Sequence, residues 1–461
     1  MKKTLLLLFI STIAFSQTRE PKAGELIDFV PITASLDTYA VYLPVNYTPE
    51  KQWPVIMVFD ASGRGKLAVS RFREAANKYG YIIAGSNGIK NGTYQENLNI
   101  ARSFYSQVLN NYSVDQDAIY LAGFSGGARL ATTIAVISKH VKGVITCGAA
   151  FANNDAYIPK KNSFLFVGIV GDEDFNYREM TNSKGYLDKL KFDADLLVFS
   201  GGHVWPPENY ITKAVRVMSL KSMTRNIIPK DESAISKYFS EDMQFNKELI
   251  NKGAMLVAYN DIQDIMKNYR FYVEKDTMKD RQKEIKRSKL FRSQRNDQYY
   301  INDVESAFYM DYMTYLPSDI NSGELESLAY WEDEINTLNK EYVNSANLQK
   351  QKMGKRVLSF LNVLPTELEE KYNENDGLDN LLYINIFKTL ANPKDYSAYI
   401  TVMRYTVTKG EYGMALYYLE KMLDNGFKDT ERLNNEDGIA LLRIQPEYNE
   451  LLDSYGLKTM Y

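Results

Sequence analysis

The chain is organised around the stretch Asp117-Ala-Ile-Tyr-Leu-Ala-Gly-Phe-Ser-Gly-Gly-Ala-Arg129. An apolar, strand-like run ends in Gly123-Phe124-Ser125-Gly126-Gly127, and a helix-forming run opens near Ala128. A chain that turns from strand to helix in so few residues needs a sharp, strained bend. Gly123 and Gly127 leave room for its backbone, and Ser125 stands at the apex. A hydroxyl held there is a candidate nucleophile. Such pentapeptides also arise by chance, so the surrounding chain has to supply the context.

At 461 residues the chain exceeds one ordinary core, and two domains are expected. It is 45% apolar and 25% charged with a formal net charge of −3, the balance of a soluble globular protein. That balance gives no basis for nucleic acid or an anionic membrane as a partner. Lys2 and Lys3 precede the apolar run Leu5–Ile13, which is too short to span a bilayer, and Ala14 and Ser16 offer small residues at the −3 and −1 positions. Residues 1–16 therefore read as a signal peptide cleaved before Gln17, giving a periplasmic or secreted bacterial protein with no membrane span in its mature chain. No cysteine follows the apolar run, which disfavours a lipid anchor. The single cysteine, Cys147, follows Val144-Ile-Thr146 and reads as a small buried hydrophobe; no intrachain disulfide is available.

After the leader, Leu26–Val30 and Tyr39–Leu43 alternate like antiparallel strands, and Trp53–Phe59 is a continuous apolar strand. Helices are expected near 69–79, 97–112, 128–138, 182–191 and 210–223. They alternate with strands at 81–84, 143–147, 164–170 and 196–199, besides the strand that ends at the bend. Continuous apolar strands alternating with helices give an α/β class with a mostly parallel, doubly wound sheet. Near residue 228 the texture changes: glycine becomes rare, strand-like runs disappear, and helical periodicity with mixed charges continues to the end. Expected helices include 233–247, 261–274, 303–316, 322–341, 349–364 and 396–409, with 279–295 a highly charged solvated helix or linker. The domains are read as 17–226 and 229–461. Within 396–425, Gly410, Tyr412, Ala415 and Leu419 fall where a tetratricopeptide-like unit places its turn and close helix contacts. This makes the helical part a candidate for docking a protein partner.

A serine nucleophile needs a base to take its proton and an acid to orient the base. The chain holds two histidines. His140 lies at the expected end of the helix after the bend, where a cation is mildly favourable. His203 lies in Phe199-Ser-Gly-Gly-His-Val-Trp-Pro-Pro207, directly after the last expected strand, and is the candidate base. The acid is sought after the strand 164–170, in Gly171-Asp-Glu-Asp-Phe-Asn176. Asp174 is favoured because its loop position lets it reach back towards His203. Asp172, tight against the strand end, and Glu173, facing solvent, compete. Histidine scarcity and the lack of a ligand-spaced cluster call for no metal or cofactor.

Taken together, Val114-Asp115, Ala122-Gly-Phe-Ser-Gly-Gly-Ala128, Gly171-x-x-Asp174 and Gly202-His-x-Trp-Pro206 make residues 40–215 resemble the α/β-hydrolase superfamily. The resemblance is specifically to its poly(3-hydroxybutyrate) depolymerase and feruloyl-esterase-like branch. It implies carboxylic-ester hydrolysis through an acyl-enzyme, with Ser125, Asp174 and His203 as the triad. The oxyanion hole would use the Gly126 N–H and a second N–H from Ala61-Ser62, although Asp60-Ala61 departs from the His-Gly pair common there. Arg64, between Gly63 and Gly65, could meet a substrate carboxylate or be an ordinary turn arginine. Trp205 and Tyr177 either line the pocket mouth or pack under the loops. The branch's polymer-binding parts are not recognisable, so its polymeric substrates do not carry over; a small-molecule or carbohydrate-linked ester is expected. The rival readings are a peptidase of the same fold, or a partner-binding helical-repeat protein whose hydrolase half is dormant. For the leader, mass spectrometry of the protein exported from a bacterial host is expected to find Gln17 as its first residue.

Overall fold

The computed structural model describes residues 21–33 and 35–458, so the leader read in residues 1–16 lies outside the described residues. Two compact units form, and their chain segments interleave. The first takes the chain up to Ile169 together with Glu179–Leu197 and Trp205–Ser240. The second takes Val170–Arg178, Val198–Val204 and Glu241–Tyr461. Among the described residues no helix is long and apolar enough to cross a membrane.

Among the described residues eight strands form one sheet: β1 (Leu26–Pro31), β2 (Thr38–Tyr42), β3 (Trp53–Asp60), β4 (Ile82–Ser86), β5 (Val114–Phe124), β6 (Val141–Cys147), β7 (Leu165–Gly171) and β8 (Ala194–Phe199), in the order β1-β2-β4-β3-β5-β6-β7-β8. β2 runs antiparallel to both neighbours, while β4, β3, β5, β6 and β7 pair in parallel. This is the mostly parallel α/β sheet that the alternation of strands and helices leads one to expect, and it is the α/β-hydrolase fold that the resemblance implies. The parallel strands are apolar almost throughout because both sheet faces are covered. Helix α1 (Gly65–Tyr79) packs on α5 (Glu208–Thr224), and α2 (Tyr94–Asn111) touches α3 (Gly126–Ile137), while α4 (Tyr177–Lys189) precedes β8. Register sets Asp60, Phe124 and Cys147 side by side, so the segments following β3, β5 and β6 emerge together at the carboxyl edge of the sheet.

The bend after β5 is as tight as its glycines suggest. Ser125 takes φ 54° and ψ −124°, a left-handed backbone that costs a non-glycine residue on the order of 1–3 kcal/mol. Its N–H donates to the Cys147 carbonyl at 2.9 Å, which fixes the turn to the neighbouring strand. A Cβ on Gly123 would lie 2.3 Å from the Gly127 carbonyl, and one on Gly127 would lie 2.2 Å from the Phe59 carbonyl.

The second unit is helical beyond residue 240. It continues α6 (Glu232–Asn251) through α7 (Met255–Asn268), α8 (Lys275–Arg287), α9 (Lys289–Ser322), α10 (Leu328–Leu338), α11 (Leu348–Glu369), α12 (Leu378–Ala391), α13 (Tyr396–Thr408) and α14 (Tyr412–Asp424), then three shorter helices between Thr430 and Ser454. One core gathers α9 to α12 around the fully buried Trp331; another gathers α13, α14 and the short helices around Met403 and Leu419. From α11 to α14 each helix packs on the next, and the α13–α14 turn carries Gly410 at φ 77° with Ala415 and Leu419 fully buried.

Several boundaries differ from the expected ones. The helix expected over 303–316 extends over Lys289–Ser322 and runs through Pro317, which normally ends a helix. Leu316 and Ile320 on either side are completely buried, and the Asp319 carboxylate accepts the Trp331 Nε1–H at 2.8 Å, so packing outweighs the lost backbone bond. The helix expected over 261–274 lies six residues earlier. The Gln294 amide caps it from α9, accepting from Leu256 N–H at 3.0 Å and donating to the Gly253 carbonyl at 2.8 Å.

Because the approach of α3 to β3 tolerates no methyl group, Gly127→Ala is expected to lower unfolding stability by about 3 kcal/mol. Denaturant melts of the variant and wild type check this; a loss below about 1 kcal/mol would show that the contact can relax.

Candidate active site

Two sets of groups carry the candidate chemistry. In the first unit, half-buried Ser125 is held on its strained bend with Gly126 beginning α3. A Cβ on Gly126 would approach Asn91 Oδ1 to 2.6 Å and the Ala61 Cβ to 3.4 Å, so Gly126, Ala61 and Asn91 adjoin. They border a cavity of about 140 Å³ that also includes Tyr94, Asn97 and Arg129 in its wall. Arg129 is locked in place: its guanidinium meets both oxygens of Glu179 at 2.8 and 2.6 Å and also donates to the Phe151 carbonyl. Asn91 is held by its N–H on the Ala61 carbonyl at 2.7 Å. Asn91 carries no functional signal in the sequence, since its Asn91-Gly92 context marks only a turn.

At the end of β3, Asp60 is completely buried and collects the neighbouring donors. Arg64 reaches it through Nε at 2.9 Å and Nη2 at 2.8 Å, Trp205 Nε1–H at 2.7 Å, and the Ser62 N–H at 2.8 Å. Burial works to raise the Asp60 pKa, but the hydrogen bonds from Arg64, Trp205 and Ser62 outweigh it and hold the carboxyl below its ordinary value. Arg64 thus grips Asp60 with its side chain half-exposed. Trp205 is buried, stacked on Phe124 at 5.2 Å between ring centroids. Of the Ala61-Ser62 pair, the Ser62 N–H is directed to Asp60.

In the second unit, both Asp174 oxygens lie 3.0 Å from Nδ1 of His203. Asp174 is 1% exposed, and its Oδ1 also accepts the Asn176 N–H at 2.8 Å. The loops bearing the two residues are stapled by backbone bonds: Asp172 N–H to the Phe199 carbonyl at 2.8 Å, and Glu173 N–H to the Gly201 carbonyl at 2.9 Å. Gly171 permits this closeness, since a Cβ there would sit 2.1 Å from the Gly201 carbonyl. Asp172 is turned to other partners, accepting the Gly201 N–H at 3.1 Å and pairing with Lys352 at 2.5 Å. Glu173 pairs with Lys355 at 2.8 Å. Tyr177 lies under the Arg356 guanidinium, 4.7 Å from its ring centroid, and burial pushes its hydroxyl pKa up. His140 is exposed at the end of the α3 segment. Lys352, Lys355 and Arg356 went unread as loop partners. Their i, i+3, i+4 spacing on one helix face is the signal that marks them.

No protein-family model matches the sequence, and no curated protein does. Solved structures similar to part of the chain include a hyperthermophilic esterase from the archaeon Pyrobaculum calidifontis. It is 14% identical and has a TM-score of 0.37, the match covering 44% of this chain and 87% of that one. A fluorophosphonate-binding serine hydrolase of Staphylococcus aureus matches at 13% identity and TM-score 0.37, covering 43% and 99%. The feruloyl esterase module of Clostridium thermocellum, an S954A mutant complexed with sinapinate, matches at 18% identity and TM-score 0.36, covering 42% and 88%.

The Asp60 cluster has a pH signature. A carboxyl whose folded pKa is depressed contributes stability above its unfolded value, about 3.9. That contribution disappears as pH falls through the folded value. Asp60→Asn is therefore expected to cost about 2 kcal/mol at pH 7, with the difference from wild type shrinking below about pH 4. Thermal or urea melts across pH 2.5–7, a range set by the carboxylate pKa, would contradict this if the gap stayed constant.

Proposed function

We propose that the protein is an exported serine hydrolase cleaving carboxylic esters through an acyl-enzyme. The observation that carries the reading is the Asp174–His203 pair: a buried carboxylate on Nδ1 leaves Nε2 as the basic nitrogen. The strained backbone of Ser125 supports it from the nucleophile's side. The leader-like residues 1–16 support export.

His203 Nε2 takes the proton of Ser125 as Oγ attacks the ester carbonyl, and Asp174 stabilises the imidazolium through Nδ1–H. The tetrahedral oxyanion is held by the Gly126 N–H and the Ala61 N–H, a donor of this kind contributing about 3 kcal/mol. Ala61 is preferred to Ser62 because the Ser62 N–H is occupied by Asp60. Collapse breaks the carbonyl–alkoxy bond, and the imidazolium gives its proton to the departing alcohol. Water, deprotonated by His203, then attacks the acyl-serine and regenerates the enzyme.

A fluorophosphonate probe is expected to label the mature wild type and to leave Ser125→Ala and His203→Ala unlabelled. On a panel of esters, kcat of Asp174→Asn is expected to fall roughly 10⁴-fold. Equal labelling of all three proteins would remove the triad. Activity on matched peptides but not on esters would replace the ester reading with the peptidase one.

A further inference from the structure

We propose that helices α9 and α11 position the acid–base pair, with Lys352, Arg356 and Tyr309 holding residues 171–178 so that Asp174 meets His203. The proposal rests on the reading of His203 as the base and Asp174 as its orienting acid.

A carboxylate that orients an imidazole must be held to within about 0.5 Å, and a surface loop alone rarely supplies that. Here the loop carries three consecutive carboxylates, Asp172, Glu173 and Asp174. Left together they repel one another and compete for the same histidine. Cations one turn apart on α11 sort them: Lys352 takes Asp172, Lys355 takes Glu173, and Asp174 is directed to His203. Asp172 then serves the base loop as well, because its other oxygen holds the Gly201 N–H two residues before His203.

Arg356 fixes the backbone of the same segment. It is 2% exposed and forms a two-point pair with fully buried Glu305, Nε and Nη2 each at 2.7 Å. Its remaining Nη1 donates to the Asp172 carbonyl at 2.7 Å, and its face covers Tyr177. A rigid planar fork can serve a carboxylate and a carbonyl simultaneously; a lysine cannot. From α9, the Tyr309 hydroxyl donates to the Phe175 carbonyl at 2.8 Å, and Arg178 reaches Ser306 at 2.6 Å. The Phe175 ring lies 4.4 Å from the His203 ring, centroid to centroid. Tyr309 therefore acts on the base through Phe175, and Lys352 acts on both loops through Asp172. An inert appendage would have no reason to concentrate buried polar contacts on the residues flanking Asp174.

The test uses the full mature chain with Tyr309→Phe, Lys352→Met and Lys409→Met. Tyr309→Phe removes one oxygen and keeps the ring stacked on Phe360. Lys409→Met removes an ion pair with Asp379, elsewhere in the helical unit, and is the control. With two histidines in the chain, selective ¹⁵N-histidine labelling reports the His203 ring against a single other. Wild type and Lys409→Met are expected to show a downfield Nδ1–H resonance from the Asp174 bond. Tyr309→Phe and Lys352→Met are expected to lose or broaden it while keeping the wild-type melting profile. Their kcat on esters is expected to fall about 10- to 100-fold with KM unchanged. An unaltered resonance and kcat in both variants overturns the proposal, as does a wild-type spectrum without the resonance. If the resonance responds as expected but wild type takes no fluorophosphonate, positioning stands and the serine-hydrolase reading fails.

Discussion

The contact on which the bend at Ser125 depends is between two backbones: α3 comes so close to β3 that Gly127 lies against the Phe59 carbonyl. Because no side chain separates them, the chain leaving β5 has to reverse immediately, and Ser125 takes the left-handed conformation that results. The bond from its N–H to Cys147 ties this strained residue to β6, so the energy stored there is restrained by the sheet. Gly126 then begins α3 next to Ala61, bringing the two candidate oxyanion donors together. The buried Asp60, gathering Arg64, Trp205 and Ser62, plays the corresponding part at the end of β3.

The Asp174–His203 pair is built on a different principle, the sorting of charge. Three adjacent carboxylates on one loop have to be given distinct partners before any one of them can orient a histidine. Lysines on α11 take two, and the third is bonded to His203. The loops that carry this pair belong to the same compact unit as the C-terminal helices, although they lie among the strands in sequence. This gives the helical half of the chain a physical role that its tetratricopeptide-like texture does not suggest.

Much of the fold was legible because its signals are local. Continuous apolar strands, glycines at the bend and the punctuation between elements marked the sheet and most of its helices. Asp174 was favoured over Asp172 from loop position, and the structure bonds Asp174 to the ring while giving Asp172 to Lys352 and Gly201. Other features were invisible for identifiable reasons. Helix α12 is buried on nearly every side, so it shows little amphipathic periodicity. The start of α7 is capped by Gln294, far along the chain, and α9 passes Pro317 because of what Leu316, Asp319 and Ile320 pack against. Arg64 and Trp205, read as candidates for substrate, turn towards Asp60.

The sequence by itself determined the class of sheet, the bend at Ser125 and which histidine follows the last strand. Each depends on residues close together in the chain: period-two or continuous apolar runs, glycines that admit a tight turn, and a loop that must follow a strand. Tertiary structure decided which carboxylate reaches His203, what Asp60 binds and what the helical half holds. These are choices among partners separated by up to 184 positions, as for Arg356 and the Asp172 carbonyl, and only the folded chain brings such groups within hydrogen-bonding distance.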